Sequence, residues 1–295
     1  MRKIKTLLRN INYLMKHSLW DQREEDIVYL TNKILDDGIY EYGINLPDRE
    51  PIKILTQEET LSLIERCPKS FVRTGDGELS IIQGKSQPFQ KYEWEIANTL
   101  EQLLKHKRDD IYVGINRNYY ISLGNVDMYS KFYRRKAYDL RNEYKKYLDL
   151  ENVYIDATFT SYELEQERNK KFDEVYERWR NLFKDKKIII VCGEGILNSY
   201  QYDVFELAKD KIIIDAPRIN AWDKKDSIIN QIKKHNAKEW TVVFILGMAG
   251  KAMIPQLTED GYMCWDVGHL AKYYDTYMHG KILSEDEIKK FYAPD

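Results

Sequence analysis

The residues whose types and spacing could do chemistry are gathered most tightly in Phe71-Val72-Arg73-Thr74-Gly75-Asp76-Gly77-Glu78. Asp76 and Glu78, at i and i+2 on a turn, can converge on one hard cation. Mg²⁺ or Mn²⁺ would accept such a pair and leave positions open for phosphate oxygens. Gly75 and Gly77 allow positive φ and the close approach of a bulky ligand. Arg73 adds a permanent planar charge suited to a phosphate or to a neighbouring carboxylate. An Asp-x-Glu triplet alone is also an ordinary solubilising turn, so its meaning depends on what the rest of the chain brings beside it.

Two more glycine-bearing loops follow apolar runs. Gly193-Glu194-Gly195 resembles half of a dinucleotide fingerprint, but its third glycine is absent and no acid is placed for a ribose. Gly247-Met248-Ala249-Gly250-Lys251 falls short of a P-loop, lacking the four-residue spacer and the Ser/Thr after Lys. It could still offer backbone N–H groups to a diphosphate at a helix N-terminus, or be only a tight strand-to-helix turn. Residues 119–162 interleave tyrosines with basic residues, among them Tyr119, Tyr138, Arg141 and Tyr144. Such faces suit sugar rings or bases, and serve equally as half-buried filler of a helical layer.

Apolar strands must position these loops. Runs at 70–72, 111–115, 153–156, 187–192, 211–214, 241–246 and 261–266 alternate with helical periodicity. Thr56-Gln57-Glu58-Glu59 is a capping box opening a helix to about Arg66. Further helical stretches are read at 93–107, at 161–183, from Gly195 through Ala208, at 226–235 and from the Gly247 loop through Leu257. Buried strands alternating with helices predict an α/β fold, a Rossmann-like, doubly wound and mainly parallel sheet. Ligands of such sheets bind beyond the carboxyl ends of the strands. Asp76, Asn116, Asp156, Glu194, Asp215, Gly247 and Asp266 all fall at that edge.

Composition narrows the rest. The chain has 295 residues, 46 basic against 48 acidic, and a net charge of −2, which supplies no general field for nucleic acid. Three scattered cysteines give neither a disulfide framework nor a zinc spacing and point to a reducing cytoplasm. No apolar run reaches membrane-spanning length and no signal peptide is visible. Residues 1–20 pair a basic face with an apolar stripe at helical spacing. That stripe could lie on an anionic membrane at its cytoplasmic face or dock on the protein's own core. A second helix through Leu35 and an acidic connector complete a helical extension over 1–50, leaving 51–295 as one domain.

Three blocks resemble the bacterial glycosyltransferases of the GT-D fold, a family first catalogued as a domain of unknown function. The first is Arg73-Thr74-Gly75-Asp76-Gly77-Glu78, similar to that family's R-F-G-D-G-E. The second is Gly193-Glu194 with Asp203 to Ala208, Ala216-Pro217 and Asn220-Ala221-Trp222. The third is Gly247-Met248-Ala249-Gly250 with Leu257, Asp260-Gly261-Tyr262, Asp266-Val267-Gly268-His269-Leu270 and Tyr273. They follow the family's order and spacing over about residues 55–280. Leu197 stands where the family carries a basic residue, and Thr160-Ser161-Tyr162-Glu163 lacks the arginine of the corresponding family element; if those basic residues touch the donor phosphates in relatives, the resemblance implies that donor handling here differs or is impaired.

The resemblance implies transfer of a hexose from a nucleotide diphosphate sugar, UDP-linked, to a glycan, glycoprotein or lipid-linked acceptor of surface polysaccharide. It implies Mn²⁺ or Mg²⁺ on Asp76 and Glu78. Arg73, Gly75, Gly77, Glu194, Asn220, Gly247, Gly250 and His269 would bind substrate. Asp76, Glu78 and Asp266 would be the catalytic residues, Asp266 orienting His269 or acting as base; the other reading of His269 is a cap on the following helix. Asp156 and Asp215 are further candidates for a base. A metal-dependent phosphohydrolase and a non-catalytic nucleotide-sugar or glycan-binding protein remain as other readings of the same residues.

Overall fold

A computed structural model describes residues 23–42, 52–121, 128–161, 164 and 167–292. The amphipathic stretch at 1–20 lies outside them. In chain order the elements are α1 (Arg23–Tyr42), β1 (Lys53–Ile54), α2 (Gln57–Arg66), β2 (Ser70–Thr74), α3 (Asp76–Ile82), α4 (Trp94–Lys105), β3 (Ile111–Ile115), α5 (Met128–Tyr144) and β4 (Val153–Asp156). Then follow α6 (Lys170–Phe183), β5 (Lys187–Gly193), β6 (Asp210–Ala216), α7 (Lys225–Ile232), β7 (Trp240–Ile245), α8 (Gly247–Glu259), β8 (Met263–Asp266), α9 (Leu270–Met278) and α10 (Glu285–Phe291).

The eight strands form one sheet in the order β1-β4-β3-β2-β8-β7-β5-β6, parallel throughout. Alternation along each strand sorts side chains between two cores. Phe71 faces the α2/α6/α9 layer, stacking on Trp265 with ring centres 5.9 Å apart, while Val72 faces the α3/α4/α7/α8 layer. Both faces are covered, which is why the strands read as continuous apolar runs. β2 and β8 lie side by side at the middle although about two thirds of the chain separates them. The polypeptide leaves β2 toward β3 and arrives at β8 from β7, so the crevice beyond their carboxyl ends is the place where such sheets hold ligands. No helix among the described residues is long and apolar enough to cross a membrane.

Three elements differ from their sequence expectation. The helix expected over 161–183 starts only at Lys170, where Asn169 accepts a hydrogen bond from the Phe172 amide at 3.1 Å. The helix expected from Gly195 through Ala208 is a single 3₁₀ turn, Leu197–Ser199, followed by turns. Asp275 Oδ1 accepts from the amides of Gln201 and Tyr202 at 2.8 and 2.9 Å, and Asp203 Oδ1 accepts from that of Phe205 at 2.8 Å. Side chains have taken amides that a helix needs. Conversely, α1 runs past Leu35 to Tyr42, because Asp36 and Asp37 are anchored from outside by Arg141 of α5, each at 2.6 Å.

The fully described tyrosines at 119, 120, 138, 144 and 154 are filler. Tyr119, Tyr144 and Tyr154 are fully buried and Tyr120 and Tyr138 nearly so, and none of these lines the crevice. Tyr129 and Tyr133 have side chains outside the description.

Candidate functional site

The crevice is a cleft of about 450 Å³ over the carboxyl ends of β2, β8, β7 and β5. Its described lining includes Arg73, Gly75, Asp76, Gly77, Glu78, Asn116, Gly193, Arg218, Gly247, Lys251, Asp266 and His269. Of the other residues singled out from sequence, Asp156, Glu194, Asp215, Asn220 and Gly250 do not line it.

The acidic triplet is not a free turn. Asp76 and Glu78 occupy the first turn of α3, with Gly75 as its N-cap. Gly75 is extended, at φ −141°, and neither it nor Gly77 adopts a positive φ. Gly77 instead lies close against α8, where a Cβ would stand 3.0 Å from Met248 Cε. Glu78 reaches back to accept from the Gly75 amide at 2.8 Å, and Tyr144 donates its hydroxyl to the Gly75 carbonyl at 2.9 Å. The other Glu78 oxygen accepts from Lys251 Nζ at 2.5 Å, with both side chains about nine-tenths buried. Among the described residues no hydrogen bond or ion pair from another side chain reaches the Asp76 carboxylate. Burial, then the neighbouring Glu78 charge, push its pKa above the ordinary value, with Lys136 opposing. Asp76 is thus a partly desolvated carboxylate at the helix start, short of positive charge.

Arg73 does not turn toward Asp76. Its backbone amide donates to Asp266 Oδ2 at 3.1 Å, its Nε to the Asp266 carbonyl at 2.8 Å, and its Nη2 to Asp266 Oδ1 at 3.3 Å. Nη1 donates to Thr160 Oγ1 at 2.7 Å and to the Ala157 carbonyl at 3.3 Å. The guanidinium is a spoke that ties β2 to the end of β8 and to the turn after β4. Room for it comes from Gly268, whose φ of +51° and missing Cβ are both needed, since a Cβ would lie 1.8 Å from Arg73 Nη2. Asp266, with its side chain only 1% exposed, is enclosed by this arginine, with Lys251 Nζ 3.8 Å from its Oδ2.

The remaining assignments fall to backbone, packing or surface. Asn220, at φ +53°, accepts from the Lys91 amide at 2.8 Å while its own amide donates to the Phe89 carbonyl at 2.8 Å. It pins the segment carrying Gln87, Phe89 and Gln90, which do line the cleft. Glu194 is exposed, and its carbonyl accepts from Arg218 Nε at 2.8 Å. Gly250 lies inside α8 against Phe244, where a Cβ would sit 2.9 Å from the ring. Gly247, at φ +57° with open space around it, starts α8 at the cleft. His269 is exposed, occupies the N-cap position of α9 without a side-chain cap bond, and has its ring 6.2 Å from those of Phe291 and Tyr292. Asp156 is buried and its Oδ1 accepts from the Thr158 amide and hydroxyl at 2.9 and 2.7 Å, while burial raises its pKa. Asp215 is exposed beside the Gly195 amide.

Lys251 and Arg218 line the cleft and Tyr144 holds Gly75 from behind it, and none of the three is a site residue in the sequence reading. Lys251 carried a signal, the Gly-rich loop just before it. Tyr144 was one tyrosine among many, and Arg218 stood beside a quoted Ala216-Pro217 without a motif of its own.

Comparison with known proteins agrees with this fold. Residues 71–291 match the family model described as the glycosyltransferase GT-D fold. A Streptococcus gordonii protein named probable glycosyl transferase Gly is 25% identical over 265 residues, covering 84% of this chain and 36% of its own length. Glycosyltransferase GlyD of Streptococcus pneumoniae serotype 4 is 24% identical over 236 residues, covering 76% of this chain and 27% of its own. The chain therefore spans well under half the length of these relatives. Among solved structures, a highly conserved domain of unknown function 1792, described as having a distinct glycosyltransferase fold, superposes with a TM-score of 0.71 at 26% identity, covering 78% of this chain and 83% of that one. A Streptococcus sanguinis protein described as a new glycosyltransferase shares the fold, with a TM-score of 0.70 at 21% identity over 79% of this chain and 87% of that one.

Proposed function

This chain belongs to the GT-D glycosyltransferase-fold family, and from that premise we propose that it transfers a hexose from a UDP-linked sugar to a glycan, glycoprotein or lipid-linked acceptor, assisted by a divalent cation. The observation that carries the reading is Asp76: a carboxylate with no side-chain partner among the described residues, partly desolvated, at the β2–α3 corner of a cleft at the switch point of a parallel sheet.

The residues fit a hard cation in part: the Asp76 carboxylate faces the cleft, while Glu78 already accepts from Lys251 and from the Gly75 amide. No group of three or more His, Cys, Asp or Glu that could hold a metal exists among the described residues. Asp76 and Glu78 would be the protein's ligands, with diphosphate oxygens completing the shell in the manner usual for Mg²⁺. Asp76 has its oxygens available, and Glu78 keeps a second lone pair on each oxygen beyond those used by Gly75 and Lys251. A bound divalent ion supplies Lewis-acid stabilisation of the negative charge that grows on the leaving diphosphate.

The protein's own groups prepare that event. Lys251 fixes Glu78, and Arg73 fixes Asp266, so the cleft floor keeps its charges in place and needs little reorganisation. Gly247 and Met248 begin α8 at the cleft, where amides and the helix dipole favour an anion. His269 is exposed in the lining, at the mouth through which a phosphate or acceptor would enter.

Calorimetry tests the reading. UDP and UDP-sugars should bind in Mn²⁺, bind weakly in chelator, and lose the metal dependence in Asp76→Asn. Binding indifferent to both metal and substitution would remove this corner from the mechanism and leave a sugar- or nucleotide-binding protein.

A further inference from the structure

We propose that Arg218 is a phosphate-binding residue of the cleft, gripping the donor's diphosphate with its terminal guanidinium nitrogens from the β5–β6 side. The proposal rests on the nucleotide-sugar reading of the cleft, to which it adds a named contact.

The other lysines and arginines of the lining are already engaged. Arg73 uses all three guanidinium nitrogens on Asp266, Thr160 and Ala157. Lys251 is closed on Glu78, and Lys272 donates to the Phe291 carbonyl at 2.8 Å. Arg218 differs. Its Nε donates to the Glu194 carbonyl at 2.8 Å, and neither Nη1 nor Nη2 has a hydrogen bond or ion pair with any described residue. A guanidinium held through Nε keeps its two outer nitrogens in one plane, the geometry that matches two oxygens of a phosphate.

The side chain is also held in place. Its stem passes over Gly193, where a Cβ would lie 3.1 Å from Arg218 Cγ, and Nη2 lies 3.6 Å from the position of a Cβ on Gly195. The backbone bearing it is anchored before and after. The Ala216 carbonyl accepts from the Glu194 amide at 2.9 Å, and Asn220 is tied to Phe89 and Lys91 at 2.8 Å each. An arginine fixed by its stem loses less freedom on meeting a ligand than a free one.

Charge balance points the same way. Asp76, Glu78 and Asp266 place three carboxylates in the lining, against which stand Arg73, Lys251 and the less buried Lys272. A diphosphate entering that field requires more positive charge than a divalent ion at Asp76 alone would bring, and Arg218 supplies it within the same cleft.

The test is calorimetric titration of UDP, GDP, CDP and dTDP, and of the matching nucleosides, in Mn²⁺ into wild type, Arg218→Gln and Arg218→Lys. Arg218→Gln should weaken the bound diphosphate about 10- to 100-fold, the loss of a charge-assisted hydrogen-bond pair. The affinity for the matching nucleoside and the Tm should stay unchanged, and Arg218→Lys should recover part of the loss. Diphosphate binding by Arg218→Gln equal to wild type would overturn the role of Arg218 while leaving the donor site intact. Equal losses for nucleoside and diphosphate would also overturn it, by showing a merely structural effect. Failure of wild type to bind any of the four diphosphates would overturn it together with the nucleotide-sugar reading.

Discussion

On the β2–β8 side of the cleft, the charged side chains are turned on one another: Glu78 on Lys251, Asp266 on Arg73, with Asp76 left outside those pairs. On the β5–β6 side the same kinds of residue meet backbone. Arg218 bonds a carbonyl, Asn220 bonds an amide, and Asp215 stands exposed beside the Gly195 amide. The first wall is buried, so each charge needs a partner or becomes costly. The second is at the surface, where solvent bears that cost and side chains can be left open to a ligand. A cleft built this way has one rigid, pre-charged floor and one presenting wall.

The largest effect should come from breaking the rigid wall. Lys251→Met leaves Glu78 buried without its cation and should cost about 3–5 kcal/mol of unfolding free energy in urea titration. Adding Glu78→Gln should recover most of that, because the uncompensated charge is then gone. A single-variant cost under about 1 kcal/mol would mean the floor is not held by its ion pairs.

A smaller effect is expected on the presenting wall. Asn220→Ala loses one hydrogen bond and forces a Cβ-bearing residue without Asn's tolerance into φ +53°, costing about 1–2 kcal/mol. Asn220→Gly keeps the backbone at ease and should cost less. Equal costs for Ala and Gly would assign the whole effect to the side-chain bond.

The smallest stability effect distinguishes Asp76 from its paired neighbours. Its pKa in the folded protein is raised, chiefly by burial, so its charged form is penalised at neutral pH. The favourable contribution of the protonated acid is full below the unfolded value and is lost as pH rises through the higher folded one. Asp76→Asn should therefore raise Tm slightly at pH 7, and the gain should shrink as pH falls through the carboxylate range. A gain that persists unchanged at low pH would show that charge is not its cause.

Much of this arrangement was legible before any coordinates. Apolar runs such as 187–192 and 241–246 announced a parallel sheet because both of its faces are covered, and that periodicity is local. Asp76, Gly247 and Asp266 followed such runs directly, so the rule about carboxyl ends placed them in the cleft. The same rule overreached at Asp156, Glu194 and Asp215, which stand at strand ends but are capped, exposed or turned aside. Position at the edge is a property of the strand, whereas pointing into the cleft is a property of the next few dihedrals. The helix expected after Gly195 failed for a related reason, since Asp275, distant in sequence, takes the amides of Gln201 and Tyr202.

The sequence by itself determined the α/β alternation, the capping box before β2 and the acidic pair at the head of α3, because each depends on residues within a few positions of one another. Only the tertiary structure decided who partners whom: that Arg73 serves Asp266 and not Asp76, that Lys251 closes on Glu78, that Tyr144 holds Gly75, and that Arg218 comes to the Gly193–Gly195 turn from the neighbouring strand while Leu197 carries no charge there. These pairings join elements far apart in the chain and are selected by burial, which makes an unpaired charge expensive. Such a cost exists only after the sheet has brought the residues together.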